Sequence, residues 1–347
     1  MEQAVVVRAV DVGYGHVKFT DSYDAEGTLC VDSFPSQSPI AKGDPLSARV
    51  LKRRDTFIVP VGKRFYEVGK EVADALHGHQ ESAVLDTKFA LSDAYHARLL
   101  GALNYMAPNL PGKTLDCLVL GLPLTTFKNL HEKVAQRYSG EQVLNTKGDT
   151  LFIRHCEVFP QPLGSYAAFL GTKEFTEVPR ALVIDPGYNT IDWFVCKGMV
   201  VSDQRSEATH RGMSAVMKDI AERIIKELSI DAGTAEVIRL VDAALTNGKP
   251  LKLCGQLVNL PEFMPAGDSV IEEAAQAVKN SVASGADIDE IVMTGGGACL
   301  YAPAVQKFFS QPLTILPDSS FANVRGFQAL GENVARSQRR AMGNVKA

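Results

Sequence analysis

Two kinds of apolar periodicity alternate along the chain. Val5–Val12 and Val17–Thr20 are β-branched and apolar runs on either side of Gly13-Tyr14-Gly15, a pattern that predicts a hairpin closed by a tight turn. Phe57–Val61 and Phe65–Val68 carry the same strand signal. Over Leu91–Ala107 and Thr126–Tyr138 the apolar spacing changes to three and four, which predicts helices. Between these helices, TLDCLVLGLP from Thr114 to Pro123 is a short apolar run ended by Gly and Pro, as in a buried strand.

The second half repeats this order. ALVIDPGYNTIDWFVCKGMVV, from Ala181 to Val201, reads as a hairpin or meander, and Gly212–Leu228 and Ala235–Thr246 are helical by period. Val270–Val282 is a further helix, and IDEIVMTGGGACL, from Ile288, is a buried strand running into three glycines. A last helix is predicted from Arg325 to about Arg339. Strands followed by helices in both halves imply an α/β protein of two similar lobes. VFPQPLGSYAAFLG, from Val158 to Gly171, is a strand end, two prolines and a helix, and marks the crossing. The expected division is residues 1–165 as lobe I, joined by the C-terminal helix at about 325–340, and 166–324 as lobe II.

Composition narrows the classes. With 347 residues, 46% of them hydrophobic, the chain has apolar material for two cores. A formal charge of −4 gives no electrostatic footprint for wrapping nucleic acid, so no direct nucleic-acid partner is expected. The six cysteines, at 30, 117, 156, 196, 254 and 299, form no Cys-x-x-Cys pair and suit a reducing compartment. Met1-Glu2-Gln3 leads straight into a strand-like run, and no segment reaches the length of a membrane span. A cytoplasmic location without a membrane partner is the expectation.

The chemistry is concentrated in a repeat. AVDVGYGHVKF (Ala9–Phe19) returns as IDPGYNTIDWF (Ile184–Phe194), with Asp11, Gly13 and Tyr14 matched by Asp185, Gly187 and Tyr188, each 174 residues later. Each turn sets a carboxylate at a strand end ahead of glycines. Glycine permits positive φ and close backbone approach, so successive amides can cradle an anion. A carboxylate repels bare phosphate but can hold the water shell of Mg²⁺, which bridges phosphate oxygens. Two such turns suit a clamp on a Mg–nucleotide; taken singly, each also fits an ordinary Asp-Gly hairpin. Gly295, Gly296 and Gly297, at a strand-to-helix junction, would leave a side-chain-free surface for an adenine ring and its sugar. They match neither a Walker A loop nor a Gly-x-Gly-x-x-Gly fingerprint.

Taken in order, DVGYGHVKF, PQPLGSYAAF, DPGYNTID and TGGGACLY resemble the phosphate-1, connecting, phosphate-2 and adenosine motifs of the actin/Hsp70/sugar-kinase superfamily. Within it, FANVRGFQALG (Phe321–Gly331) and the compact length look like the ParM/StbA-type actin-like proteins of plasmid segregation. The resemblance implies an actin-like (ribonuclease H-like) fold of two lobes with a nucleotide cleft between them. It implies ATP, or GTP, with Mg²⁺ as cofactors. Asp11 and Asp185 would stand beside the ion, through water. The backbone around Gly13, Tyr14 and Gly15, and around Gly187, Tyr188, Asn189 and Thr190, would hold the β- and γ-phosphates. Lys18 would reach the phosphates as a point charge, or is a solvated strand lysine. Asp192 completes an Asp-x-Gly-x-x-Thr-x-Asp pattern, or serves as a hairpin-stabilising carboxylate. Gln161 stands where the superfamily keeps a Gln or Glu that orients the attacking water; as a residue between Pro160 and Pro162 it also reads as a polar loop position. Tyr14 and Tyr188 depart from the small residues common at those places. Ribose contacts would come from 212–219 or 237–242.

The function this implies is an actin-like ATPase that polymerises into filaments for plasmid or DNA segregation, with itself and a DNA-bound adaptor protein as partners. A small-molecule kinase of the same superfamily is the alternative, although no lobe-I Asp stands out as a base for a substrate hydroxyl. An Hsp70-like chaperone would need a peptide-binding domain after the last helix. Lys52-Arg53-Arg54 and the basic tail from Arg336 read as solvated surface, and His77 and His79 as loop residues rather than metal ligands.

Overall fold

The computed structural model describes residues 5–41, 54–76, 88–172, 174–198 and 200–344. The chain forms two compact units, one of residues 1–174 with 321–347 and one of 175–320.

In the first unit, β1 (Val7–Val12), β2 (His16–Tyr23) and β3 (Leu29–Pro35) form an antiparallel meander. A small hairpin, β4 (Phe57–Val61) and β5 (Arg64–Val68), and helix α1 (Asp93–Met106) follow. The predicted run 114–123 is split into β6 (Thr114–Leu115) and β7 (Cys117–Leu122). Asp116 is the reason: its carboxylate accepts from the amide of Val6 at 2.9 Å and its own amide donates to the Val6 carbonyl. Helix α2 (Leu124–Tyr138), β8 (Gly140–Val143), β9 (Thr150–Ile153) and β10 (Cys156–Pro160) lead to helix α3 (Gln161–Leu170).

The second unit opens with the meander β11 (Arg180–Pro186), β12 (Ile191–Lys197) and β13 (Val200–Thr209). Helices α4 (Met213–Leu228) and α5 (Thr234–Asn247) come next, then the hairpin β14 (Leu251–Leu253) and β15 (Gln256–Val258). After α6 (Leu260–Phe263) and α7 (Asp268–Val282) come β16 (Glu290–Met293), α8 (Ala298–Gln306) and β17 (Leu313–Ile315). The last helix, α9 (Ala322–Asn344), belongs to the first unit and is longer at both ends than its apolar pattern predicted.

The repeat noticed in the turns is a repeat of whole sheets. The first sheet runs β3-β2-β1-β7-β10 and the second β13-β12-β11-β16-β17: in each, a meander is extended from its first strand by two parallel strands. Every residue of β1 and of β7 is buried, as expected for parallel strands covered on both faces. That is why these segments read as continuous apolar runs.

Helix α9 crosses α3 at two glycines. A Cβ on Gly326 would land on the carbonyl oxygen of Gly164, and one on Gly164 would stand 2.6 Å from the carbonyl oxygen of Asn323. The close approach lets the Asn323 side chain accept from both the amide and the hydroxyl of Ser165, at 3.1 and 2.6 Å. A boundary at 165 would cut through α3, whose packing on α9 keeps it in the first unit. This crossing fixes the N-terminus of α3, where Gln161 sits.

Candidate functional site: two equivalent Asp-x-Gly hairpins

Asp11 lies at the end of the buried strand β1, with only 5% of its surface exposed. A buried carboxylate requires a partner, and it has one: the Gln161 amide nitrogen donates to its Oδ1 at 2.6 Å. Gln161 is the first residue of α3 rather than a loop residue, with Pro160 before it and Pro162 after it. Proline suits the first helical turn, where amides have no intrahelical acceptor. Lys18 is the cross-strand partner of Asp11. His16 is kept neutral, its pKa lowered to about 4 by burial and by the charge of Lys18. The turn is closed by the Gly13 amide on the His16 carbonyl at 3.2 Å, and Ser36 grips it from outside, its hydroxyl donating to the Gly13 carbonyl at 2.6 Å and its amide to that of Gly15 at 2.8 Å.

In the second unit the arrangement recurs with the same offset. Asp185 pairs across the hairpin with Asp192, as Asp11 does with Lys18, and the Gly187 amide closes the turn on the Thr190 carbonyl at 2.8 Å. The Thr190 hydroxyl donates to Asp192 at 2.6 Å, a contact that stiffens the hairpin with or without a ligand. The amides of Gly212, Met213 and Ser214, at the start of α4, donate to the carbonyls of Asn189, Gly187 and Tyr188. Gly212 is required there, since a Cβ would meet the Asn189–Thr190 peptide at 2.6–2.7 Å. Burial raises the pKa of the Tyr188 hydroxyl to about 12, with the Asp242 carboxylate adding to it.

The three glycines have unequal tasks. Gly295 has a φ of +76°, and a Cβ on it would fall on the Asp185 carboxylate. Its amide donates to the Ser319 carbonyl, while the Gly297 amide donates to that of Pro186, both at 3.0 Å. Gly296 faces open space. Gly297 therefore fastens this segment to the Asp185 turn, Gly295 fastens it to Ser319 while passing close over the Asp185 carboxylate, and Gly296 offers a bare backbone surface. In the turns themselves the expected use of positive φ is not found: Gly13, Gly15 and Gly187 are not among the positive-φ residues described. Crowding explains Gly13, whose Cβ would stand 2.9 Å from the His16 carbonyl oxygen.

The first unit thus brings together Asp11, Gly13, Tyr14, Gly15, Lys18 and Gln161, and the second Asp185, Gly187–Thr190, Asp192 and Gly295–Gly297. Among the described residues no group of three or more His, Cys, Asp or Glu could hold a metal on its own. Single hard carboxylates at strand ends fit a hydrated ion carried by phosphates, and do not fit a closed protein cage. Ser36 and Ser319 have no signal in the sequence, because hydroxyl and backbone contacts across separate segments leave no spacing to read; Met213 and Ser214 fall in the stretch 212–219 expected to supply ribose contacts, and their amides hold the carbonyls of the turn. Lys52, Arg53, His77 and His79 lie outside the described residues. Arg54 forms an ion pair with Glu67 at 3.0 Å, and in the tail Arg336 pairs with Glu332 at 2.9 Å. All six cysteines are free, and no described helix is long and apolar enough to cross a membrane.

Two sheets of one strand order, each with an Asp-x-Gly turn at the corresponding hairpin, define an actin-type fold. The chain belongs to the actin-like proteins: residues 9–164 match the family "Actin like proteins N terminal domain" and residues 183–307 the family "Archaeal actin homologue MreB-like, C-terminal". Among solved structures it is similar to Ta0583, an archaeal actin homologue, at 19% identity over 95% of this chain and 100% of that one, with a TM-score of 0.71. A ParM from a 15-stranded filament of Clostridium botulinum gives 17% identity, 95% and 100% coverage and a TM-score of 0.70. Apo ParM of pSK41 gives 19%, 96% and 99%, and 0.66. No curated protein matches the chain in sequence.

Proposed function

We propose that the protein is an actin-like ATPase that binds Mg–ATP with its two Asp-x-Gly-Tyr hairpins, assembles into filaments, and serves plasmid or DNA segregation in the cytoplasm. The observation that carries this reading is the bond from Gln161 to Asp11 at 2.6 Å, at the hairpin whose equivalent in the second unit carries Asp185. A neutral amide held against a carboxylate is suited to orienting a water molecule without acting as a strong base. In phosphoryl transfer, positioning and charge stabilisation carry most of the catalysis. Asp11 and Asp185 would hold the water shell of Mg²⁺, Lys18 would face the phosphates, and the amides of both turns would receive phosphate oxygens. A bound ion, held through its water shell by these carboxylates, would supply neutralisation of phosphate charge. Gly296 would lie under the base.

Relatives of the same fold support the nucleotide and the filament. Ta0583 has been solved in complex with ADP, and the C. botulinum ParM as a filament; AlfA of a B. subtilis plasmid is likewise known as a filament. The partners proposed are further copies of this chain and an adaptor protein bound to DNA, in keeping with the net charge of −4. The test is calorimetric titration with Mg–ATP and Mg–GTP together with phosphate release, on the parent protein and on Asp11→Ala and Asp185→Ala. Each variant should lose binding or hydrolysis while still unfolding in a cooperative transition, Asp11→Ala at a lower temperature because it gives up the bond from Gln161; undiminished hydrolysis in both would overturn the clamp.

A further inference from the structure

The two turns share sequence and hydrogen-bond closure, but they are anchored differently. The second is built onto a helix, with three successive amides at the start of α4 holding its carbonyls, and the Tyr188 ring packs against the core of the second unit. The first turn has Ser36 on two of its carbonyls, and its tyrosine turns to another partner. The Tyr14 ring stacks on Phe89, with centroids 4.9 Å apart and planes at 22°. Phe89 lies in the short helical turn Phe89–Leu91 that precedes α1. It is braced from α1 on two sides: the Tyr95 ring meets it edge-on at 5.5 Å and 84°, and the Arg98 guanidinium lies 5.3 Å from its centroid. Tyr95 is fixed in turn by the cap of α1, its amide donating to the Ser92 hydroxyl at 3.1 Å.

We propose that Phe89 is a positioning residue for nucleotide binding, acting through Tyr14: the stack holds the Gly13–Gly15 amides in place and ties the first turn to α1. The proposal rests on the nucleotide reading above. A Gly-x-Gly segment has one side chain by which it can be held, and here that side chain is aromatic and paired. Order imposed before binding need not be imposed by the ligand, and appears as affinity. Both rings are half-buried, so the pair lies at the margin of the core and its loss weakens the turn more than the fold. The second turn, with three backbone hydrogen bonds from α4, needs no such brace.

The experiment compares Phe89→Leu, Tyr14→Leu, the double variant and the ring-retaining Phe89→Tyr. Val134→Ala, at a fully buried position of α2, serves as a control for general destabilisation. Two quantities are measured: hydrogen exchange of the peptide 11–19 in the nucleotide-free protein, and the Kd for Mg–ATP. Each leucine variant should speed exchange of that peptide and weaken binding by about 2- to 10-fold, the range of a stacked aromatic pair, and Phe89→Leu, which lies outside the turn, should retain kcat at saturation. The double variant should lose no more than either single one, Phe89→Tyr should restore binding, and exchange over 185–192 should not change. Unchanged exchange in Phe89→Leu, faster exchange without weaker binding, additive losses in the double variant, or an equal effect from Val134→Ala would each overturn the proposal. If the parent protein binds no nucleotide, the nucleotide reading fails on that result alone, while exchange still reports whether Phe89 braces the turn.

Discussion

Replacing Gln161 by alanine removes the donor 2.6 Å from Oδ1 of Asp11, a carboxylate that is only 5% exposed. A hydrogen bond to a charged group contributes about 1.5–3 kcal/mol net, and a buried acceptor left unmet costs a similar amount. The nucleotide-free variant should therefore be less stable by about 1–3 kcal/mol. For a first unit of about 200 residues, that lowers the melting temperature by about 2–12 °C. Hydrolysis should respond differently from binding. In the parent protein the Gln161 amide occupies the Asp11 oxygen that the water shell of an ion would use. Removing it leaves Mg–ATP affinity unchanged or slightly improved, while hydrolysis loses its positioned water and slows about 10- to 1000-fold, or about 1.4–4 kcal/mol of barrier. The assay is phosphate release at saturating Mg–ATP alongside calorimetric affinity and thermal unfolding without nucleotide. Hydrolysis within about twofold of the parent, or affinity lost in step with hydrolysis, would refute the reasoning.

Gly326→Ala should destabilise the first unit by about 1–3 kcal/mol despite better helix propensity, because the new methyl meets the backbone of α3; Gly296→Ala, facing open space, should leave thermal unfolding unchanged, and the reverse order in a melting experiment would contradict both assignments. Burial raises the Asp242 pKa to about 6 from an unfolded value of 3.8, partly offset by the Thr246 hydroxyl. The folded state holds that proton more tightly, so the contribution of Asp242 to stability is full below about pH 4 and is lost as pH rises through about 6. Asp242→Asn should therefore gain about 1–2 kcal/mol over the parent above pH 7, after allowance for partial solvent access, and nothing near pH 4; denaturant titrations at the two pH values give the comparison.

Elements with a single dominant period were legible in the sequence. The runs that became β1, β7 and β11, and the helices α1, α4 and α7, were visible because burial on both faces or on one stripe writes a regular apolar pattern. Two edge strands were not: β3 alternates weakly and β17 has three residues, so pairing with a neighbour rather than their own pattern defines them. The candidate site divided in the same way. Asp11, Asp185 and the glycines were visible because the turn is written twice. That Gln161 bonds to Asp11, 150 residues away, depends on the helix crossing at Gly164 and Gly326, which no local spacing records. The three glycines at 295–297 looked equivalent as letters. Their division into two fasteners and one open surface follows from the Asp185–Pro186 turn packing beneath them.

Assembly coupled to the nucleotide is the central claim, and sedimentation with electron microscopy of the same samples tests it most directly. A nucleotide can favour assembly only by binding the assembling conformation better, and a head-to-tail contact between copies that does not close a ring grows an open filament. With Mg–ATP or a non-hydrolysable analogue, the protein should pellet above a threshold concentration and appear as filaments; with ADP it should pellet less or not at all, and Gln161→Ala should prolong the ATP-driven state. A protein that stays monomeric at tens of micromolar with Mg–ATP across a range of salt, while phosphorylating a sugar or small acid, would contradict the account and establish a kinase on the same fold.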